Sequence, residues 1–343
     1  MSTVEVKGYK HKIGSHCSST LLRNILSSNG LDISEELCFG IGAGLGFIYR
    51  KAFNPPYYFV LGRSDDIEEK VCFFLGGMAL KYTTDDNNRA WYEAKKLIQN
   101  NEPVLINVDA SHLSYLRHKF NLFDNVRYGG HRALITAYDE DAQIARLADY
   151  LWNEPQNVSL KELEQSRASK TGQTPPENLF YTFLFPKEFA PLEQAVRGGI
   201  KLNVNAMLNP WYEVLGLPGL KKFCERVVHW PKFMNTDLVK TNAYMTYMMT
   251  EVVGTGGGNF RRLYSRFLRE AQEVLKDGRL ERPAKLYAEL GRLWKEVSYL
   301  LKASSGDITK GLWSGNSTNQ VLLDTINHKE EEAILLLKEI DYV

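Results

Sequence analysis

The feature that most constrains this chain is a single change of hydrophobic period near Phe185-Pro186. Before it, short apolar runs alternate with helical ones. After it, the helical period dominates: Leu192, Val196 and Ile200 lie four apart, and Leu286, Leu290, Leu293, Trp294, Val297 and Leu301 form a stripe. A second stripe runs through Leu322, Ile326, Ala333, Leu337 and Ile340. Apolar residues at that spacing line one face of an α-helix. The pattern predicts an α+β first domain over residues 1–188 and an all-α second domain of about five or six helices over 189–343.

Within the first part, Cys17 to Ser28 reads as a helix stopped by Asn29-Gly30, and Arg89 to Gln99 as another. Tyr57 to Leu61 and Val71 to Leu75 are short β-rich runs. Val104 to Val108 reads as a buried strand. His131 to Tyr138 and Ile144 to Ala148 form a hairpin around Asp139-Glu140-Asp141. Ser159-Leu160-Lys161-Glu162 is a capping box opening a short helix. Phe180 to Phe185 is a further strand.

Composition narrows the function classes. Lys plus Arg is 42 against 41 Asp plus Glu, a net charge of +1, which argues against a protein built mainly to hold nucleic acid. Cys17, Cys38, Cys72 and Cys224 form no CxxC pair and no zinc-ligand spacing. His112, His118, His229 and His328 make no metal set either. The polar N-terminus has no signal-peptide core, and the Gly-rich apolar stretch Leu37 to Tyr49 is too short to span a bilayer as a helix. A reduced, cytoplasmic setting is expected, in which a free thiol persists.

Two groups carry chemistry. Cys17, in His16-Cys17-Ser18-Ser19, opens a helix, where the dipole and unpaired N–H groups favour a thiolate. A cysteine there is either a nucleophile or a core residue. Cys38, Cys72 and Cys224 sit in apolar runs and are assigned to the core. His131, after Gly129-Gly130, is either a base or a hydrogen-bonded strand histidine. The hairpin brings it toward Asp149, whose carboxylate can orient an imidazole. An early cysteine, a later histidine and a following Asp give the chain order of papain-like enzymes.

At these residues the chain resembles the butirosin biosynthesis protein H N-terminal family. The likeness rests on His16 to Asn24, on Ser34-Glu35-Glu36-Leu37-Cys38-Phe39-Gly40 with Gly42, Gly44, Gly46 and Phe47, and on Val108-Asp109 with Tyr115. It also rests on Gly130-His131, Tyr138-Asp139 and Asp149. Gly254 to Tyr264 with Phe267-Leu268 resembles the helical domain that often accompanies the family. The resemblance implies a papain-like cysteine acyltransferase with Cys17 as nucleophile, His131 as base and Asp149 as orienter. It would take an acyl or aminoacyl group from an acyl carrier protein thioester to an amine, in natural-product biosynthesis. A cysteine peptidase or amidase uses the same triad, and a non-catalytic binding module would not need Cys17.

The same reading assigns substrate contacts to His16, Glu36, Asp109, Tyr115 and Arg261. Asp109 and Tyr115 are alternatively structural. Arg261 follows Gly254 to Gly258, whose N–H groups at a helix start suit the phosphate of phosphopantetheine. Papain-like enzymes place a Gln about six residues before the cysteine for the oxyanion. Here that position is His11, so His11 or His16 would substitute unless His11 is merely solvated. The Gly40 to Gly46 segment lacks the GxGxxG spacing and reads as tightly packed backbone near the active site. The basic excess over 261–296 either meets an acidic carrier protein or forms a solvated helical face. No resident cofactor is expected, because phosphopantetheine arrives on the donor. The partners expected are an acyl carrier protein, a small-molecule amine and, in a homodimer, a second copy.

Overall fold

The computed structural model describes residues 3–51, 57–120, 129–172, 174–315 and 317–340. In chain order the elements begin with β1 (Val4–Glu5), α1 (Cys17–Ser28), α2 (Glu35–Ile41), β2 (Leu45–Lys51), β3 (Tyr58–Arg63) and α3 (Ile67–Phe74). Then come β4 (Met78–Tyr82), α4 (Asn87–Gln99), β5 (Val104–Val108), α5 (Ser114–Phe120), β6 (His131–Asp139) and β7 (Ile144–Ala148). The mixed part ends with β8 (Gln156–Ser159), α6 (Leu160–Ala168) and β9 (Phe180–Leu184). The helical part holds α7 (Leu192–Leu208), α8 (Gly216–Val227), α9 (Trp230–Phe233), α10 (Thr236–Tyr247), α11 (Arg261–Leu275), α12 (Glu281–Gly306) and α13 (Thr318–Glu339).

The chain divides into two compact units, one of residues 1–35 with 76–189 and the other of 36–75 with 190–343. The first is α+β. Its antiparallel sheet runs β4-β9-β5-β6-β7-β8, with β1 paired to β6. Val104, Ile106 and Val108 of β5, Ala133 and Ile135 of β6, and Leu147 of β7 pack with Ala94, Ile98 and Leu163 into one core. Helix α4 begins two residues before Arg89 because Asp86 accepts from the N–H groups of Asn88 and Arg89. The capping box at Ser159 forms as expected, with Ser159 Oγ accepting from Glu162 N and the Glu162 carboxylate accepting from Ser159 N, each at 3.1 Å.

The second unit is mostly helical, and its described residues between 190 and 340 are helices and the connections between them. It also takes in the β2-β3 hairpin, which packs on α7 and α8. A straight division at 188/189 therefore leaves out one grouping, since residues 36–75 belong with the helices. Phe47 and Tyr49 of β2 explain it: their rings meet Phe223, the first tilted and the second edge-on, and Phe223 in turn contacts Trp230 and Trp294. Such aromatic pairs add to the stability gained by burial alone.

Val71 to Leu75, expected as a β-run, instead ends a helix: Val71 to Phe74 belong to α3 and Leu75 is its C-cap. A five-residue apolar run does not distinguish the two states by periodicity. Here Ile67 and Val71 lie four apart on the buried side, and Glu68 and Glu69 sit in the first turn, where the helix dipole favours acids. The Gly40 to Gly46 segment is tightly packed as expected, but within the second unit. A Cβ on Gly40 would lie 2.1 Å from the Phe267 ring, and one on Gly46 2.7 Å from Arg63 backbone. Among the described residues no helix is long and apolar enough to cross a membrane.

Candidate active site

The site is built in the first unit from α1, the start of β6 and the residue after β7. Helix α1 packs against β6. His16 is extended, with φ −134° and ψ 130°, and caps the helix, its Nδ1 lying 3.0 Å from Ser19 Oγ and 3.5 Å from Ser19 N. Cys17 is therefore the first helical residue, and it is buried.

The loop before Cys17 is clamped by Glu35, which is 4% exposed. One carboxylate oxygen accepts from His16 N at 2.7 Å and from Thr20 Oγ1 at 2.9 Å. Both oxygens accept from Ser15 N, and Ser19 Oγ lies 3.3 Å from the first. A buried anion with this many donors fixes the backbone that enters α1.

His131 opens β6 and is paired in register with Val108. Strand β7 returns beside β6, with Ala148 opposite Leu134, and delivers Asp149 to the histidine. His131 Nε2 donates to Asp149 Oδ2 at 2.7 Å. His131 also hydrogen-bonds Cys17, and with Nε2 on the carboxylate, Nδ1 is the nitrogen left for the thiol. Tyr115 donates its hydroxyl to the same Asp149 oxygen at 2.9 Å and stacks edge-on against Trp152. Asp149 is fully buried, and its Oδ1 has no hydrogen-bond partner among the described residues.

Burial works against a charged His131. The Asp149 carboxylate, by charge and hydrogen bond, and then Cys17 more than offset it, raising the imidazole to about 10. Tyr115 is held well above the usual phenol range, first by burial and then by Asp149, so it remains a donor.

His11 is neither solvated nor aimed at an oxyanion. Its Nε2 lies between the carbonyls of Asp149, at 3.0 Å, and Trp152, at 2.8 Å, and must donate. Gly14 N donates to Tyr150 O at 2.9 Å. Residues 11–14 thus tie the approach to Cys17 onto the segment that carries Asp149.

The structure brings Cys17, His131, Asp149, Tyr115 and His16 together, and engages the other expected substrate residues with partners of their own. Asp109 is fully buried, accepts from Ser111 N, Ser111 Oγ and Ser169 Oγ, and caps a short turn, which is the structural alternative. Glu36 lies in the second unit, paired with Arg266 at 2.7 Å. Arg261 is a correction. It is fully buried in the second unit, with Nε and Nη2 on Glu330 at 3.0 and 3.1 Å and Nη1 on the carbonyls of Gly62 and Asn259. Its guanidinium is spent inside the core and does not face a phosphate. The preceding glycines are engaged as well, Gly258 N with Glu251 and Gly257 N with Thr255. Glu35 is the residue of the candidate site that sequence reasoning missed. Cys38, Cys72 and Cys224 are buried, with burial raising Cys72 to about 12. Among the described residues no group of His, Cys, Asp or Glu is placed to hold a metal ion.

Residues 161–337 match a domain of unknown function, DUF4872, and residues 16–150 match the family described as butirosin biosynthesis protein H, N-terminal. The chain belongs to the DUF4872 family, whose match spans more than half of it, and carries a butirosin biosynthesis protein H, N-terminal match before that domain. The N-terminal match spans Cys17, His131 and Asp149 and points to an enzyme of antibiotic biosynthesis. No curated protein matches the chain.

Proposed function

We propose that the chain is a papain-like cysteine acyltransferase that moves an acyl or aminoacyl group from a carrier-protein thioester to a small-molecule amine. The observation that carries this reading is His131 bonded on one side to Cys17 and on the other to Asp149, behind a helix start.

In this mechanism His131 rests as an imidazolium paired with the Cys17 thiolate. The sulfur attacks the thioester carbonyl, forming a C–S bond and an oxyanion. The N–H of Cys17, at the helix start, and the ring of His16 are the donors assigned to that oxyanion. Collapse breaks the bond to the donor sulfur, which leaves with the His131 proton. Part of what holds that proton comes from Cys17, so acylation of the sulfur removes it and eases the transfer. The amine then attacks acyl-Cys17 and gives its proton to His131. The amide departs, and the thiolate–imidazolium pair is restored. A thioester and an acyl-cysteine have similar energy, so the protein's contribution is proximity and charge placement.

The test is intact-protein mass spectrometry after mixing the chain with carrier proteins loaded with a panel of acyl groups, wild type beside Cys17→Ala. A mass gain of one acyl group in wild type alone, discharged by added amines, is the expected result. Discharge by water at the same rate, with no amide product, points instead to a hydrolase. Equal activity in Cys17→Ala removes the mechanism altogether.

A further inference from the structure

In the second unit, helices α11 and α12 pack along each other and leave a groove of about 480 Å³ between them. Its walls carry Arg262, Arg266 and Arg269 from α11 and Lys285 and Arg292 from α12. The floor is made of small residues, Ser265 and Ala288, with Ser265 Oγ turned onto the Ala284 carbonyl at 2.7 Å.

Little negative charge answers these five cations. Glu289 lines the groove; its carboxylate pairs with Lys329 of α13 at 2.8 Å and also feels the charge of Arg292. Glu36 meets only the Nε of Arg266, and Lys285 pairs with Glu281 within its own helix. Among the described residues no carboxylate forms an ion pair with Arg262, Arg269 or Arg292. Assembling like charges at a concave surface raises the energy of the empty protein, and an anion repays it.

The backbone also makes room for this arrangement. Gly291 sits inside α12, where glycine is less favourable than alanine. A Cβ there would lie 2.5 Å from Arg262 Cγ and 3.2 Å from Arg262 N. Glycine at this point lets the Arg262 stem lie across α12 at the rim of the groove.

We propose that this groove is a binding site for a small ligand carrying a diphosphate group. Its volume falls in the range of small-molecule sites. Four of the five cations are arginines, whose planar forks match phosphate oxygens bidentately. Arg262 to Arg269 runs about 10 Å along α11, long enough for two phosphates in a row. An acidic protein surface fits less well: such partners cover wide patches with apolar anchors, and none of the residues lining this groove is a large exposed hydrophobe. The site is independent of the reading given to Cys17.

The test is isothermal titration calorimetry of the full chain with inorganic pyrophosphate at physiological ionic strength. Saturable one-to-one binding is expected. The double substitution Arg269→Ala with Arg292→Ala, at exposed positions, should weaken it at least about tenfold. Ala288→Phe, which fills the floor without changing charge, should do the same. Lys221→Ala with Lys232→Ala, an equal loss of charge outside the groove, should leave it within about twofold. Failure of pyrophosphate to bind overturns the proposal. So does an equal loss in the Lys221 and Lys232 control. So does capture of a Glu-rich peptide in place of pyrophosphate. Should Ala288→Phe not fold, the two charge-removal pairs still decide the question.

Discussion

The Tyr115 phenol and the His131 imidazole donate to one and the same oxygen of Asp149, at 2.9 and 2.7 Å. The carboxylate therefore cannot turn without losing both bonds. Tyr115→Phe removes one of them and leaves the apolar stacking on Trp152. A hydrogen bond to a charged group contributes about 1.5–3 kcal/mol, so acyl-Cys17 formation should slow by about tenfold or more. The rate of Cys17 alkylation by iodoacetamide reads the same effect without any substrate. An unchanged rate would show that His131 alone orients Asp149.

The raised His131 links protonation to stability. Its value of about 10 in the folded protein lies above the ordinary 6.5. The folded state then binds the proton more tightly than the unfolded one. The stabilisation is complete below about 6.5 and is lost as pH rises toward about 10. Asp149→Asn removes the charge that does most to offset burial, leaving an imidazole whose neutral form burial favours. The melting-temperature gap between wild type and Asp149→Asn should thus narrow from pH 6.5 to pH 10. A gap that is constant or widens contradicts the assignment of that proton to the His131–Asp149 pair.

Much of this site was legible from local pattern. Cys17 and Ser28 are the ends of α1 because a capping side chain and an Asn-Gly stop flank them. The His131 strand and its return are set by alternation and one turn, which put Asp149 within reach. What sequence did not reveal depends on long-range packing. Glu35 and Glu36 are adjacent acids in one motif, yet the first clamps the Cys17 loop and the second pairs with Arg266. Nothing local separates them. Arg261 looked like a phosphate ligand beside glycines because its partner, Glu330, lies 69 positions away. The Gly40 to Gly46 segment is packed tightly as its glycines suggest, but the neighbour that requires glycine at position 40, Phe267, is likewise distant in the chain.

Glu35 gives a prediction that sequence alone would not have made. Glu35→Ala leaves the half-buried Ser15 N–H, the buried His16 N–H and the buried Thr20 hydroxyl without the oxygen that now accepts from them. Each buried donor left unsatisfied costs about 1–3 kcal/mol, so urea unfolding should report a loss of about 3 kcal/mol. Glu35→Gln keeps one acceptor and should lose less. Both should slow Cys17 alkylation, since the loop that fixes His16 and Cys17 loosens. Full alkylation rate in a destabilised Glu35→Ala protein would make the clamp purely structural.

Arg261 and Glu330 offer the sharpest test of the helical unit. Both side chains are fully buried and meet through two hydrogen bonds, at 3.0 and 3.1 Å. Arg261 also bonds the Gly62 carbonyl, tying β3 to α11 and, through Glu330, to α13. Removing one partner leaves an unpaired charge in the core, at a cost of about 3–5 kcal/mol. Arg261→Met and Glu330→Leu should each therefore lower the urea midpoint sharply. The two together restore an apolar contact and should recover most of that loss, because desolvation of both charges disappears with them. The Gly62 and Asn259 carbonyls, which accept from Arg261 Nη1, set the limit on recovery. If the double variant is as unstable as the sum of the singles, those carbonyl bonds rather than the ion pair hold the unit together.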